Sequence, residues 1–256
     1  MKRTLGHSVV FALTLVLSGW ASAQAGSNPQ SPDLATIVQR VEQVQIAGRD
    51  NVRPYVVTRD YRFFQGQVKQ QPDSEVTAQV SYYPPDTKEF QIRNAQGNGR
   101  GERVVRKVLE HETEMAPSWR QSIISDENYK FSLLGEENVD GRRCYVLGLE
   151  PRRDSKELLK GKAWVDAENY RIHRVVGEPA KSPSWWIKKL EITVAFGNVQ
   201  GMWLQTMSHA EADVRLFGHN ILSAQDVSYQ TGILSATKRK LRTPQRDVGT
   251  GILFVR

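Results

Sequence analysis

Apolar and polar residues alternate along most of this chain. In residues 54–66, Tyr55, Val57, Arg59, Tyr61 and Phe63 fall on one side of an extended backbone, with Val56, Thr58, Asp60, Arg62 and Phe64 on the other. The first set is read as the inward face. Val76, Ala78, Val80 and Tyr82 repeat the alternation, Pro84-Pro85-Asp86 supplies a turn, and Phe90 and Ile92 carry a third strand, which makes a meander. From Asn128 onward nearly everything is strand. Tyr129, Phe131 and Leu133 alternate, Val139-Asp140-Gly141 turns, and Tyr145, Leu147 and Leu149 alternate again.

The segment 160–196 holds three strands. Residues 161–165 and 170–176 are rich in Trp, Val, Tyr and Ile, and Asp166-Ala167-Glu168-Asn169 between them suits a tight polar turn. Residues 177–184 carry two prolines and form a wider loop. The third strand, 185–196, would span roughly 35–40 Å, a length suited to wrapping around an interior. Residues 202–207 and 212–217, a Gly218-His219-Asn220 turn, and residues 221–229 complete the pattern.

Two segments have helical period instead. Ser31-Pro32-Asp33 opens the first with proline in its first turn, and Leu34, Ile37, Val38, Val41 and Val44 line one face up to Gly48. The second, 102–114, has a partial stripe of Val104, Val105, Val108 and Met115. The glycine cluster 96–101 before it fits no nucleotide-binding fingerprint and reads as a flexible hinge. The expected fold class is therefore mainly β (α+β): an incomplete antiparallel β-barrel of about ten or eleven strands with two amphipathic lid helices. Eight strands already close around side chains alone, so ten or eleven leave room for an apolar cavity.

Composition refines this picture at the ends. Lys2-Arg3, the apolar run 9–17 and Ala21-Ser22-Ala23 follow the order of a cleaved secretory signal, so residues 1–23 are assigned to a signal peptide and the mature chain to a start at Gln24. No cysteine follows the apolar run to accept a lipid. Residues 24–31 are a linker, 32–230 one domain, and 231–256 a tail with no clear period. Removing the signal from a chain of net charge +7 leaves a mild, dispersed surplus, which disfavours nucleic acid as a partner. The single cysteine, Cys144, sits in a strand-like run and reads as a buried inert thiol.

Catalysis finds little support. His7, His111, His173, His209 and His219 are scattered without metal-ligand spacing, Glu110, Glu112 and Glu114 around His111 read as a solvated helix end, and Asp166 with Glu168 reads as a turn. Trp164 and Trp203 read as core. The expectation is no enzyme, no cofactor and no metal.

The order helix, three strands, helix, long meander resembles the LolA-like outer-membrane lipoprotein-sorting family over residues 34–229. It carries YKFSLLG at 129–135, GRRCYVLGLEP at 141–151, GKAWVD at 161–166 and YRIHR at 170–174. GEPAKSPSWWIK at 177–188 resembles an uncharacterised exported branch. The resemblance implies a soluble, monomeric periplasmic carrier for lipoprotein acyl chains or another lipid, working between an inner-membrane transporter and an outer-membrane acceptor. It equally implies a lipid-binding sensor with a membrane-protein partner; an envelope hydrolase is a weaker third reading. In a carrier, Tyr55, Val57, Arg59, Tyr61, Phe63, Val80, Tyr82, Phe90 and Ile92 would line the cavity. Arg59 would either hold the lid helix through backbone carbonyls or reach solvent at the barrel mouth. Trp185, Trp186 and Lys188, with Lys181 and Lys189 nearby, suit docking on a lipid surface. Strand alternation would instead send Trp186 inward beside Leu190 and Ile192 while Trp185 covers the rim.

Overall fold

Asp33 caps the first helix: its carboxylate accepts from the backbone N–H of Thr36 at 2.8 Å. Pro32 thus precedes the cap and is not in the first turn, and the helix, α1 (Leu34–Asp50), runs two residues past Gly48. The computed structural model describes residues 32–66 and 70–231; the signal and linker assigned to 1–31 and the tail 232–256 lie outside them. After α1 come β1 (Tyr55–Gln65), β2 (Ser74–Tyr83), β3 (Thr87–Gly97), α2 (Gly99–Met115) and a short 3-10 segment (Ala116–Gln121). They are followed by β4 (Tyr129–Val139), β5 (Arg142–Pro151), β6 (Leu159–Asp166), β7 (Ile172–Pro179), β8 (Ile187–Val199), β9 (Met202–Val214) and β10 (Gly218–Thr231). Among the described residues no helix is long and apolar enough to cross a membrane.

The ten strands form one antiparallel sheet in the order β3-β2-β1-β10-β9-β8-β7-β6-β5-β4. It is a meander whose first strand pairs with its last, open between β3 and β4, and mainly β with two helices, as the alternation predicts. Asp140-Gly141 and Gln200-Gly201 turn their hairpins with both residues at positive φ, the geometry that matches the twist of the flanking strands.

Three boundaries differ from the sequence expectation. β7 starts at Ile172, because the Asp166 carboxylate accepts from the N–H groups of Glu168 and Asn169 and holds residues up to Tyr170 in the turn. β9 is continuous through 208–211, and its turn to β10 lies at 215–217, ahead of Gly218-His219-Asn220. β8 begins at Ile187, which leaves Trp185 and Trp186 in the preceding loop.

Paired residues on neighbouring antiparallel strands share a face. One row crosses the sheet as Tyr61, Ala224, Ser208, Val194, Val175, Ala163, Leu147 and Leu133. Both helices lie on that face. Ile37, Val38 and Val41 of α1 pack with Tyr145, Leu147, Leu149, Ala163 and Val165. Val105 and Leu109 of α2 pack with Val57, Tyr61, Val76, Ala78 and Val80. Cys144 is fully buried beside Val146 and Trp164, and burial, reinforced by Asp166, pushes its thiol up and keeps it un-ionised.

Candidate functional site

The inward row on β1 is where alternation puts it. Val57, Arg59, Tyr61, Phe63, Val80 and Tyr82 are buried, and Tyr55, Phe90 and Ile92 are partly buried against the same cluster. The cavity expected over them is filled by Val105 and Leu109, so the nine residues form the floor beneath a packed helix. A pocket of about 380 Å³ is a polar notch at Asp140, Arg142, Arg143, Asp166 and Glu168 on another part of the sheet.

A charged network lies within that floor. Arg59 is paired across the ladder with Asp226. Its Nε donates to Asp226 Oδ1 in a short contact, and its Nη1 donates to Glu112 Oε2 at 2.9 Å and to the Tyr61 hydroxyl at 3.4 Å. Lys88 Nζ donates to Glu112 Oε1 at 2.6 Å, and the Tyr229 hydroxyl donates to Asp226. Arg59 is 6% exposed, so a lone charge there would be prohibitive; two cations against two carboxylates make the group neutral. Burial alone would raise the Glu112 carboxyl, but the Lys88 ammonium and the Arg59 guanidinium outweigh it and bring it down to about 2. Burial pushes Tyr61 up to about 12 and, with its bond to Asp226, holds Tyr229 firmly un-ionised.

These contacts correct two readings. Arg59 neither reaches solvent nor bonds helix carbonyls: it grips α2 through a side-chain carboxylate. Glu112 is not part of a solvated helix end. Gly101, Val105, Leu109 and Glu112, at spacings of four, four and three, share the sheet-facing side of α2, while Val108 faces outward at 41% exposure. That spacing was present in the sequence, hidden by the acidic run around His111.

The glycine cluster is likewise no hinge. Asn98 caps α2, and the Ser74 hydroxyl donates to the Asn98 carbonyl at 2.6 Å. A Cβ on Gly101 would lie 2.4 Å from Ser74 Cβ and 3.2 Å from Phe63 Cβ, so this glycine permits contact between helix and sheet.

Between the two helices, neither helix packs on the inner face formed by β8 and β9 among the described residues. Ile187 pairs with Val214, Leu190 with Ala212, Ile192 with Ala210 and Val194 with Ser208, all partly exposed. No residue of β9 belongs to a core cluster under either helix. The result is an aliphatic strip with small side chains along one side.

Trp185 and Trp186 are 76% and 44% exposed, their rings 5.7 Å apart. Neither enters the core, because strand alternation does not extend into their loop. Lys188 occupies a bulge between Ile187 and Lys189 and is exposed. On the opposite face of the sheet, Ser223 Oγ, the His209 ring and Glu211 stand in line at 2.8 and 3.0 Å. These three residues stand on β9 and β10, which pair inside the sheet. Among the described residues no group of three or more His, Cys, Asp or Glu is arranged to hold a metal.

A family model described as an uncharacterized protein matches residues 122–242. No curated protein matches the chain. Similar solved structures include members of the family that the motifs resemble. A DUF1329 family protein from Desulfovibrio piger is 13% identical, covering 78% of this chain and 93% of its own, with a TM-score of 0.42. A LolA superfamily protein from Nitrosomonas europaea is 14% identical, covering 78% and 94%, with a TM-score of 0.41. A domain named for outer-membrane lipoprotein sorting, from Vibrio parahaemolyticus, is 14% identical, covering 80% and 96%, with a TM-score of 0.42. Similarity of this degree transfers no function.

Proposed function

We propose that this protein is a periplasmic carrier that shelters the acyl chains of a lipoprotein, or another lipid, on the inner face of its open barrel. The observation that carries this reading is the partly exposed strip of Ile187, Leu190, Ile192 and Val194 against Ala210, Ala212 and Val214. Each methylene buried there gains about 0.8 kcal/mol, enough for one acyl chain to hold to the strip and for several to require more surface. Lifting α2 would supply it. The row Tyr55, Val57, Tyr61, Phe63, Val80, Tyr82, Phe90 and Ile92 would then join the strip, with Arg59 still paired to Asp226. Loading from an inner-membrane transporter and delivery to an outer-membrane acceptor complete the scheme.

The test is titration of the purified protein with a fluorescent fatty acid. Saturable, stoichiometric binding is expected, at least tenfold weaker in Ile192→Glu and unchanged in Met207→Glu, which alters the opposite face of the neighbouring strand. Absence of binding, or equal loss in both variants, refutes the reading. Mass spectrometry of co-purifying lipid would then name the cargo. The charged latch on α2 favours one second reading: a sensor in which lipid releases the helix and a membrane-protein partner recognises the released form. Partner binding that depends on lipid, without transfer of lipid to acceptor membranes, would separate sensor from carrier.

A further inference from the structure

Four exposed large apolar side chains, including the two most exposed among the described residues, gather at one rim of the sheet, where the loop before β8 meets the turn between β9 and β10. Leu216 is 96% exposed, Trp185 76%, Phe217 49% and Trp186 44%. The two connections are joined: the Arg215 backbone N–H donates to the Trp186 carbonyl at 2.7 Å, and Arg215 Nε donates to the Trp185 carbonyl at 3.1 Å. From α2, the Arg100 guanidinium lies 4.2 Å over the Phe217 ring and fixes it from the other side. These side chains therefore project from a braced rim and not from a free loop.

Leu216 is doubly disfavoured where it stands. Its φ of 70° is left-handed, a conformation that costs a leucine about 1 kcal/mol or more and that Asn or Gly would adopt readily. Its side chain meets only water. A residue that strains the backbone in order to expose an apolar tip contributes nothing to folding, so its use lies in what the tip touches.

The charge around the tip identifies that surface. Lys181 and Lys188 form no ion pair among the described residues, and Arg215 and Arg100 bring two more cations. Glu178 pairs with Lys189 at 3.9 Å, and Asp213 bonds the His219 ring at 2.9 Å. Protruding Leu, Phe and Trp among cations match a bilayer bearing anionic headgroups, where the aromatic rings settle at headgroup depth and each basic residue near the surface adds attraction. The aliphatic strip also ends here, at Ile187 and Val214.

We propose that this rim is a membrane-docking surface, which inserts Leu216 with Phe217 and Trp185 into an anionic bilayer and presses the open end of the strip against the lipid. The docking stands on these side chains alone; only its use for lipid transfer rests on the carrier reading.

The decisive experiment is sedimentation with vesicles of phosphatidylglycerol and phosphatidylcholine, compared with phosphatidylcholine alone. Binding to the mixed vesicles is expected, weaker on pure phosphatidylcholine and in high salt. Leu216→Asn should lower it about tenfold, the share of one leucine withdrawn from the membrane. Its melting temperature should hold or rise, since Asn tolerates the positive φ. Ile192→Glu should leave vesicle binding intact, as Leu216→Asn should leave fatty-acid binding intact, so either proposal can fall alone. Wild type that ignores anionic vesicles overturns the docking, even if it retains a membrane protein. So do equal binding by Leu216→Asn, and an equal loss in a Met207→Asn control.

Discussion

Replacing Glu112 by Gln tests whether α2 is held by charge. The carboxyl falls from 4.5 to about 2 on folding, and at roughly 1.4 kcal/mol per unit the ionised form is worth about 3 kcal/mol to the folded state. Because the folded value is the lower one, this stability is present above about pH 4.5 and is lost as the pH falls toward about 2. Glutamine keeps the shape and removes the charge. Arg59 retains Asp226, and Lys88, whose side chain is 19% exposed, can turn toward water, so the loss should stay near 3 kcal/mol and below the extreme for an orphaned buried charge. Urea unfolding of both proteins at pH 7 should show that gap. At pH 3 the wild type has itself lost more than half of the contribution, and the gap should shrink to about 1–1.5 kcal/mol. A gap that is the same at both pH values, or below about 0.5 kcal/mol at pH 7, would refute an electrostatic latch. If α2 is also the lid, the variant should take up fluorescent fatty acid faster.

Two glycines two residues apart in α2 should part company. Gly101→Ala should destabilise by about 1–3 kcal/mol through overpacking on Ser74, whereas Gly99→Ala, whose Cβ would meet only the flexible end of Arg103 at 3.6 Å, should be neutral or stabilising by up to about 1 kcal/mol; thermal melts of both decide whether the cluster is a packed joint. N-terminal sequencing of protein recovered from the periplasm should begin at Gln24, and an intact Met1 would refute the signal assignment.

Much of the fold was legible because its determinants are local. Strand alternation repeats every two residues, and Asp140-Gly141 turns its hairpin through its own backbone preferences, so the meander and the inward row from Tyr55 to Phe63 could be read from short windows. Trp185 and Trp186 show the limit: alternation sorts side chains only while the backbone stays extended, and the prolines and serines before them end that condition. Glu112 and Asp226 lay further from reach. They stand 53 and 167 residues from Arg59 in the chain. Neither is marked by its neighbours in sequence, since a charge reveals nothing of its burial until its partner is known. That partnership exists only once the first strand pairs with the last and α2 lies across them. The sequence by itself therefore determined the strands, most of their turns and which side of each is apolar. The tertiary structure alone decided that an arginine on an apolar face would find two carboxylates there, because long-range closure of the sheet sets which charges leave water together.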